Sequence, residues 1–366
     1  MSRTAEQPLR VLICCDAAVA RNGVGSYYGD LVEQLHGAHV HFELITPGRG
    51  PRALASMALP GDHTQRITLP SPRGVRLAFD RLAPAVVIVA TPGPYGILGA
   101  RLAGRRGVPL LYGFHTHFEQ LSTMYWHRLM RTAALGYLKA VNRWLFRRAS
   151  RVLVHSPGMV EVAEELGARR VIVAATLLPS HFDRPTIPAT GALKRLLFVG
   201  RLAAEKRIDR LIDAARHRPG LQFSIAGRGP LEDKVAAAAR QLPNLEALGW
   251  VERRRIPELL AAHDALVLPS DVESFGTVAL EAIASARLAI VSTHCGIGQW
   301  PVLEEALHAF DPDRPDGLVE ALDALAALPA HERSRRAAAG AGAVARLRAD
   351  GQQWWLDLLD QVARGD

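Results

Sequence analysis

Short apolar runs typical of buried parallel strands alternate with helix-like segments along the whole chain, and this alternation most constrains the fold. A run such as LRVLICCD (9–16) is apolar almost throughout, as a strand covered on both faces should be. The segments between the runs have apolar residues at helical spacing, which suits crossover helices on both faces of a sheet. Strands are predicted at 9–16, 41–47, 85–93, 109–116, 151–156, 190–202, 221–229, 265–270 and 288–293. The chain is therefore predicted to be an α/β protein with doubly wound parallel sheets.

The alternation starts afresh after the proline-rich stretch PSHFDRPTIPATG, near residues 180–190. With 366 residues the chain is long enough for two domains of ordinary size. We predict a first domain over 1–185 and a second over 186–345. Open α/β sheets bind ligands at the carboxyl ends of their strands, so a cleft between two such domains is the expected site.

The amino terminus MSRTAEQPLR is polar, and no run of about 18 apolar residues follows anywhere in the sequence. A cytoplasmic protein is therefore expected. The three cysteines, Cys14, Cys15 and Cys295, lack the spacing of a metal site. They are expected to be buried reduced thiols in strands.

The positive charge of the chain is concentrated in its first half. The net charge is +8, yet residues 1–190 hold 22 Lys and Arg against 12 Asp and Glu. This asymmetry favours an anionic partner for the first half, such as a membrane, a nucleic acid or a phosphate-rich ligand. An arginine-rich composition with no functional meaning is the alternative. No recognisable nucleic-acid-binding module is present, so no nucleic-acid partner is expected.

Residues 125–148, YWHRLMRTAALGYLKAVNRWLFRR, form the clearest amphipathic stretch. Basic residues recur at helical steps, with aromatic residues between them. The basic residues are Arg128, Arg131, Lys139, Arg143 and Arg147, and the aromatic ones are Trp126, Tyr137, Trp144 and Phe146. Such a helix suits docking to an anionic membrane surface. An ordinary surface helix with solvated arginines is an equally good interpretation.

The most specific motif is DVESFGTVALEA (271–282), which follows a predicted strand and holds Glu273 and Glu281 eight residues apart. If a helix begins near Gly276, the backbone N–H groups of Gly276, Thr277 and Val278 can bind phosphate. Glu273 would then lie beside the group beyond the phosphate, and Glu281 could reach a pair of ribose hydroxyls. The alternative is that Glu273 caps the helix and Glu281 is a surface charge.

Two further loops follow predicted strands. FVGRLAAEKRIDRLIDAA (198–215) places Arg201 and Lys206 between a strand and a helix, where two cations can neutralise a diphosphate. Solvated loop charges are the alternative for either residue alone. IAGRGP (225–230) is a weaker signal, because its glycines are also what an ordinary turn requires.

The order of VGRLAAEK, IAGRGP, LGW and ESFGTVALEA resembles the retaining glycosyltransferases of family 4, which have the GT-B fold. The resemblance covers most of the chain. It implies two Rossmann-like domains facing a cleft, with residues 346–366 as a helix that crosses back to the first domain. It also implies transfer of a mannose- or glucose-type hexose from a GDP- or UDP-sugar, which is a substrate, so that no cofactor is needed.

Carried over position by position, the resemblance assigns a role to each motif of the second half. Arg201 and Lys206 hold the donor diphosphate, Glu273 contacts the donor sugar and Glu281 binds the ribose. Gly227 and the backbone near Val251 form the nucleobase pocket, and the segment from Phe275 to Val278 completes the donor site.

In the first half, GVGSYYGDL resembles the family's glycine loop, in which Gly23 and Gly25 let the backbone approach the donor. GFHTHFEQL (113–121) resembles the His-Thr-x-Phe stretch of members that glycosylate lipids, among them GDP-mannose-dependent α-mannosyltransferases and diacylglycerol glucosyl- and galactosyltransferases. His115 is then expected to face the donor sugar. The acceptor is expected to be a lipid or glycolipid of an anionic membrane, with the enzyme peripheral at its inner face.

The resemblance implies a retaining reaction on the front face of the sugar, in which the leaving diphosphate helps to deprotonate the acceptor. No metal is implied, and the DPD triplet 311–313 is interpreted as a turn that leads into a helix. Three alternatives remain open: a sugar-nucleotide epimerase of the same fold, a transferase with a soluble or polysaccharide acceptor, and a non-catalytic sugar-nucleotide sensor.

The sequence departs from the family pattern at three places. LLPSHFDRP (177–185) stands where an Asn-Gly-Val-Asp-like stretch is usual, and CGIGQW (295–300) stands where a Gly-Gly pair is usual. SARL (285–288) replaces a Ser-Gly-x-Pro sequence. These departures bear on recognition of the donor sugar.

Overall fold

A computed structural model describes residues 8–19, 23–37, 39–59, 62–116, 128–182, 187–189 and 191–365, with the backbone alone described at 63 and 128–130. The chain divides into two compact units. Unit 1 reaches to Pro179 and resumes at Arg348, and unit 2 comprises Ser180–Leu347. The predicted boundaries were 185/186 and 345/346.

Unit 1 is built on a six-stranded sheet in the order β2-β1-β5-β6-β7-β8, with every pair parallel. A separate antiparallel pair, β3 and β4, precedes the second helix. The strands are β1 Leu9–Cys14, β2 Val40–Ile45, β3 Ala53–Leu59, β4 Asp62–Pro70, β5 Val86–Val89, β6 Leu110–Gly113, β7 Arg151–Val154 and β8 Val171–Val173. The helices are α1 Gly23–Leu35, α2 Pro72–Leu82, α3 Pro94–Arg106, α4 Arg128–Phe146 and α5 Pro157–Glu165.

Unit 2 is built on a second six-stranded sheet in the order β11-β10-β9-β12-β13-β14, also parallel throughout. The strands are β9 Arg195–Val199, β10 Gln222–Ala226, β11 Leu245–Gly249, β12 Ala265–Leu268, β13 Leu288–Ser292 and β14 Leu307–Phe310. The helices are α6 Ile208–His217, α7 Glu232–Gln241, α8 Ile256–Ala261, α9 Thr277–Ala284, α10 Gly317–Ala327 and α11 Ala330–Arg364. The predicted α/β class with two doubly wound parallel sheets is confirmed.

The last turns of α11 belong to the core of unit 1. Trp355, Leu358, Leu359 and Val362 are buried in one cluster with residues of β1, β2 and α1. The indole N–H of Trp355 donates to the carbonyl oxygen of Ala175 at 2.9 Å, and the hydroxyl of Tyr27 donates to the same oxygen at 2.9 Å. Residues from the end of the chain therefore complete the interior of the first unit.

Several predicted boundaries are wrong in detail. β1 ends at Cys14 rather than at residue 16. The N–H of Cys15 still donates to Ile45 of β2, whereas that of Asp16 donates to the hydroxyl of Thr91 instead of to a strand. The β3–β4 pair and the strands β8, β11 and β14 were not predicted. Cys15 and Cys295 follow β1 and β13 rather than lying in strands, although all three cysteines are free and buried as expected. Within the described ranges, no helix has the length and hydropathy that a membrane crossing requires.

Candidate functional site

The strand order of unit 2 reverses beside β9, whose neighbours are β10 on one side and β12 on the other. The loop after β9 carries Arg201–Arg207, and the loop after β12 carries Asp271–Phe275. The two loops are tied together by a hydrogen bond of 2.8 Å from the backbone N–H of Asp271 to the carbonyl oxygen of Glu205. Such a switch point is where doubly wound sheets bind their ligands.

Two ion pairs fill this point. The ammonium group of Lys206 contacts the carboxylate of Glu273, and both side chains are largely buried, at 17% and 18% exposure. The guanidinium of Arg201 contacts the buried carboxylate of Glu205. Burial alone lowers the pKa of Lys206, but the charge and hydrogen bond of Glu273 outweigh it and raise that pKa. Lys206 is therefore held as a cation, and the structure brings together the predicted Arg201, Lys206 and Glu273.

The loop after β13 supports the backbone around Glu273. The N–H of Gly296 donates to the carbonyl oxygen of Glu273 at 2.9 Å, and the N–H of Ile297 donates to that of Phe275 at 2.7 Å. Gly276 has a φ of +104°, and a Cβ there would lie 2.7 Å from the sulfur of Cys295. A side chain at Gly276 is therefore excluded both by conformation and by space.

Helix α9 begins at Thr277, with Gly276 as its N-cap residue. The N–H groups of Ala279 and Leu280 donate to the carbonyl oxygen of Gly276. Those of Gly276, Thr277 and Val278 make no hydrogen bond to another described residue. Glu273 does not cap the helix, so the capping alternative is wrong. Three N–H groups at the start of a helix suit an anion such as phosphate.

Glu281 lies in the second turn of α9 and is buried. Its carboxylate accepts a hydrogen bond from the guanidinium of Arg253 at 2.8 Å, so the interpretation as a surface charge is wrong. Burial raises the pKa of Glu281, and Arg253 opposes this. Arg253 follows β11 in the sequence. Its pairing with Glu281 therefore links the segment after β11 to helix α9.

Gly227 and Val251 follow the adjacent strands β10 and β11. The N–H of Gly227 donates to the carbonyl oxygen of Gly249 at 2.7 Å, and a Cβ on Gly227 would collide with the carbonyl oxygen of Gly200. Val251 is half-buried. The close approach of Gly227 to Gly200 brings the backbone after β10 against the backbone after β9.

In unit 1, His115 lies just beyond β6 and is buried. Its Nε2 is 2.8 Å from the hydroxyl oxygen of Tyr28, and its ring stacks on His155 with centroids 4.5 Å apart. Tyr27 packs edge-on against His155 at 4.4 Å. Nδ1 of His115 has no hydrogen-bond partner among the described atoms. Burial, and then the charge of His155, lowers the pKa of His115 well below its usual range. The Phe118 end of the predicted stretch lies outside the described residues.

Gly23 and Gly25 lie inside α1, so the prediction that they form a loop before the helix is wrong. Residues 20–22, which precede that motif, lie outside the described residues. A Cβ on Gly25 would lie 2.5 Å from the carbonyl oxygen of Ala18. Gly25 therefore lets the first turn of α1 pack against the backbone that follows β1.

The switch point of unit 1 lies between β1 and β5 and holds an internal anion. The carboxylate of Asp16 accepts hydrogen bonds from the hydroxyl of Thr91 at 2.6 Å and from the N–H groups of Tyr95 at 2.8 Å and Gly96 at 3.3 Å. Burial raises the pKa of Asp16, and these hydrogen bonds oppose the rise. The start of α3 is thus occupied by the chain's own carboxylate, unlike the start of α9.

Helix α4 presents only part of the predicted basic face. Arg143 and Arg147 are exposed, whereas Arg131 and Lys139 are half-buried. Among its aromatic residues Tyr137 is exposed and Phe146 is buried. Trp126 lies outside the described residues, and the side chain of Arg128 is not described. Of the four basic residues of that face whose side chains are described, two are thus exposed and two half-buried, and docking of this helix on a membrane stays a prediction.

The SARL departure has two structural consequences. Ala286, at the position of the usual glycine, adopts a left-handed φ of +49°. The buried guanidinium of Arg287 donates to backbone carbonyl oxygens, including those of His263 and Ile187 at 2.7 Å each. Arg287 therefore fixes the backbone that precedes β9. Residues 183–185 of the LLPSHFDRP departure lie outside the described part of the chain.

Sequence reasoning missed several partners of the predicted residues. Glu205 lies beside Lys206 in the motif and could have been found there, but Arg253 and Cys295 gave no local signal. Arg207 was also missed: it adopts a φ of +48° and pairs with Asp271 at 2.8 Å. The described residues contain no cluster of three or more His, Cys, Asp or Glu side chains placed to bind a metal. In the DPD triplet, the carboxylate of Asp311 accepts from the N–H of Asp313, as in a turn.

Comparisons with known proteins match both halves of the chain. The family Glycosyltransferase Family 4 matches residues 21–175, and Glycosyl transferases group 1 matches residues 182–342. A glycogen synthase of Mycobacterium tuberculosis (strain ATCC 25618 / H37Rv) is 31% identical over 212 residues, which cover 55% of this chain and 51% of that protein. The chain therefore spans about half of that relative's length.

A GDP-mannose-dependent alpha-(1-6)-phosphatidylinositol dimannoside mannosyltransferase of Mycobacterium tuberculosis (strain ATCC 25177 / H37Ra) is 33% identical over 145 residues, covering 38% of this chain and 37% of that protein. Among solved structures, the sucrose-phosphate synthase of Thermosynechococcus elongatus superposes with a TM-score of 0.78 at 19% identity, covering 99% of this chain and all of that one (100%). The fold is thus shared over the whole chain. With one family match in each unit and this shared architecture, the protein belongs to the family-4 glycosyltransferases of the GT-B fold.

Proposed function

We propose that this protein transfers a hexose of the mannose or glucose type from a GDP- or UDP-sugar to an acceptor, with retention of the anomeric configuration and without a metal ion. The observation that supports this most is the cluster at the switch point of unit 2. There Lys206 and Arg201 lie in one loop, and the N-terminus of α9 follows the loop tied to it.

The cluster suits a diphosphate leaving group. Departure of a nucleoside diphosphate places negative charge on its outer phosphate, and positioned cations and N–H groups stabilise that charge. Lys206 and Arg201 supply the cations, and Gly276, Thr277 and Val278 supply the N–H groups. Glu273 keeps Lys206 charged and oriented, and it is assigned to the donor sugar. Because this neutralisation comes from the chain itself, the reaction is proposed to need no metal.

The remaining donor contacts follow from the same site. Glu281, fixed by Arg253, is assigned to the ribose hydroxyls, and the backbone at Gly227 and Val251 to the nucleobase. His115 is assigned to the donor sugar on the strength of the family resemblance. The leaving diphosphate is proposed to accept the acceptor's proton as the new bond forms on the same face.

The acceptor is proposed to be a lipid or glycolipid of an anionic membrane. The net charge of the first half and the exposed Arg143 and Arg147 of α4 support this. So does the printed name of the phosphatidylinositol dimannoside mannosyltransferase, a relative over 38% of the chain.

The decisive experiment is turnover of the Lys206→Ala variant with the donor found by a thermal-shift screen of GDP- and UDP-sugars. We expect kcat to fall about tenfold or more, because a contact to a leaving group contributes a few kcal/mol in the transition state. Lys234→Ala is the matched control, since Lys234 is exposed on α7. An unchanged kcat in a folded Lys206→Ala protein would refute the diphosphate cluster.

The products then test the remaining parts of the proposal. NMR of the glycoside should show the donor's anomeric configuration, and the rate should survive excess EDTA. Inversion, or full loss with rescue by Mg²⁺ or Mn²⁺, would contradict those parts. Release of free nucleotide and an epimerised sugar without any acceptor would indicate the epimerase alternative instead.

A further inference from the structure

The β3–β4 hairpin of unit 1 carries an unusual share of the exposed apolar surface. Nine large apolar side chains are exposed in the described part of the chain, and three of them lie on this hairpin. They are Leu54 at 68%, Met57 at 59% and Leu69 at 44% exposure. Contiguous apolar surface of this kind marks an interaction site more often than chance exposure does.

The register places two of these three side chains, Met57 and Leu69, on one face, whereas Leu54 lies at the irregularity between Ala53 and Ala55 and is not part of that face. Met57 is paired with Ile67, and Ala55 with Leu69, so all four lie on one side of the two-stranded sheet. The other side is polar: the hydroxyls of Ser56 and Thr68 lie 3.1 Å apart, and Arg66 donates to the hydroxyl of Ser56 at 2.8 Å. The hairpin is therefore amphipathic, with its apolar side exposed. We call Ala55, Met57, Ile67 and Leu69 the hairpin face.

Three arginines flank the open end of the hairpin. Arg49 and Arg52 precede β3, and Arg73 lies in the first turn of α2; all three are exposed. None forms an ion pair with a carboxylate of the described residues, whereas Arg76 and Arg81 pair with Asp80 and Glu43.

The backbone holds this end together. The N–H of Ser71 donates to the carbonyl oxygen of Arg52 at 3.1 Å, and a Cβ on Gly74 would lie 2.6 Å from Pro51. The segment before β3 and the start of α2 are therefore adjacent. The hairpin face thus ends in a cationic rim formed by Arg49, Arg52 and Arg73.

We propose that the hairpin face docks on an anionic lipid surface, with its apolar side chains in the interface and the cationic rim on the lipid phosphates. Apolar side chains beside unpaired basic ones are the combination that binds such membranes. A second copy of this chain fits less well, because it would bring two cationic rims together. A nucleic acid would leave the apolar face exposed to water. The proposal rests on the proposed function, because it names the surface that meets the anionic membrane of the acceptor, but it is tested as binding without donor or acceptor.

The first test is co-sedimentation with vesicles of phosphatidylglycerol and phosphatidylcholine. Exchanging Met57 and Leu69 for Ser together should weaken partitioning about tenfold or more, because two apolar side chains lose their burial in the interface. Exchanging Arg49, Arg52 and Arg73 for Gln should weaken it about fivefold per charge, and raised salt should do the same to the wild type. Ile187→Ser with Val302→Ser is the matched control, since both are exposed apolar residues of unit 2.

A second measurement identifies the element that enters the lipid. Burial raises the pKa of all three native thiols, so a Cys placed at Met57 can be labelled selectively with an environment-sensitive fluorophore. We expect a blue shift on anionic vesicles for the label at Met57→Cys and none at Val302→Cys. Exchanging Arg143 and Arg147 of α4 for Gln tests that helix in parallel.

Three results would overturn the proposal. They are absence of vesicle binding at low salt, binding that only the α4 variant weakens, and a wild-type dimer that the Met57→Ser and Leu69→Ser exchange dissociates. The last would assign the hairpin face to a second copy. Turnover of the donor with a soluble acceptor is measured in a separate assay. Failure of the docking proposal can therefore be distinguished from failure of the proposed glycosyl transfer.

Discussion

The stacked histidines His115 and His155 make the stability of unit 1 depend on pH. Burial lowers the pKa of His155 from 6.5 to about 4 and that of His115 well below its usual value. Both rings are therefore neutral in the folded protein near neutral pH. His155 of the unfolded chain takes up a proton as the pH falls below 6.5, whereas His155 of the folded protein does not until about pH 4, and His115 acts in the same direction. Stability from these residues is thus full above pH 6.5 and is lost progressively between pH 6.5 and 4.

The shift of His155 alone corresponds to about 3 kcal/mol over that window. We expect His155→Gln to lower stability at pH 7.5 through lost packing with Tyr27, but to make the decline towards pH 4 shallower by that amount. Urea unfolding at a series of pH values measures this. A His155→Gln slope equal to that of the wild type would contradict a neutral buried pair.

Two helix ends in unit 1 offer a comparison of glycine with alanine. Helix α2 ends at Ala83 with a φ of +45°, and α3 ends at Gly107 with a φ of +67°. Each N–H donates to a carbonyl oxygen four residues earlier, so the two caps are alike. A left-handed conformation costs an L-residue about 1 kcal/mol more than glycine.

Ala83→Gly should therefore raise the free energy of unfolding by about 0.5–1 kcal/mol, and Gly107→Ala should lower it by about 1 kcal/mol. Ala83 is exposed, and a Cβ on Gly107 meets no atom within 4 Å. Differences in side-chain packing therefore do not contribute to the change in stability. Thermal unfolding of both variants is the measurement. A shift of the same sign in both would mean that these backbone conformations do not determine the stability of the caps.

At the scale of elements, α11 shows how one helix serves a core that is distant in sequence. Trp355 is fully buried beside Tyr27, while its neighbour Trp354 is half-buried. Trp355→Ala should lower the free energy of unfolding by about 3–5 kcal/mol, because a large cavity opens in the core and the carbonyl of Ala175 loses a donor. Trp354→Ala, the matched control, should cost clearly less. Equal losses in urea unfolding would place Trp355 outside the core of unit 1.

The strands that were predicted well are those that helices cover on both faces of the sheet. β1, β5 and β12 are apolar along their length because helices cover them on either side. The β3–β4 hairpin escaped prediction because its residues mix small, apolar and polar types and most of β3 is exposed. The start of α1 was misplaced for a different reason. Gly23 and Gly25 look like turn residues, yet Gly25 is needed for close packing inside a helix.

At the scale of the whole molecule, nine of the twelve strands in the two six-stranded sheets could be predicted from the repeated strand–helix pattern, and the candidate site from motifs at strand ends. The three strands that were missed, β8, β11 and β14, all lie at sheet edges. The contacts between residues of different loops within the site could not be predicted. Arg253 reaches Glu281 from a different loop, and Cys295 limits the space at Gly276 from a third. Such partners are set by which strands become neighbours, and neighbours such as β9 and β12 are far apart in sequence. Their choice depends on tertiary packing rather than on local pattern.

The discontinuity of unit 1 limits how this chain can be recombined. Residues after Arg348 pack in the core beneath β1 and β2. The sequence of unit 1 therefore lies in two segments, with all of unit 2 between them. A chimaera that takes its first 179 residues from a relative but keeps this chain's ending would set a foreign interior against Trp355 and Leu359. Unit 1 can therefore be replaced by that of a relative only if both segments are exchanged together.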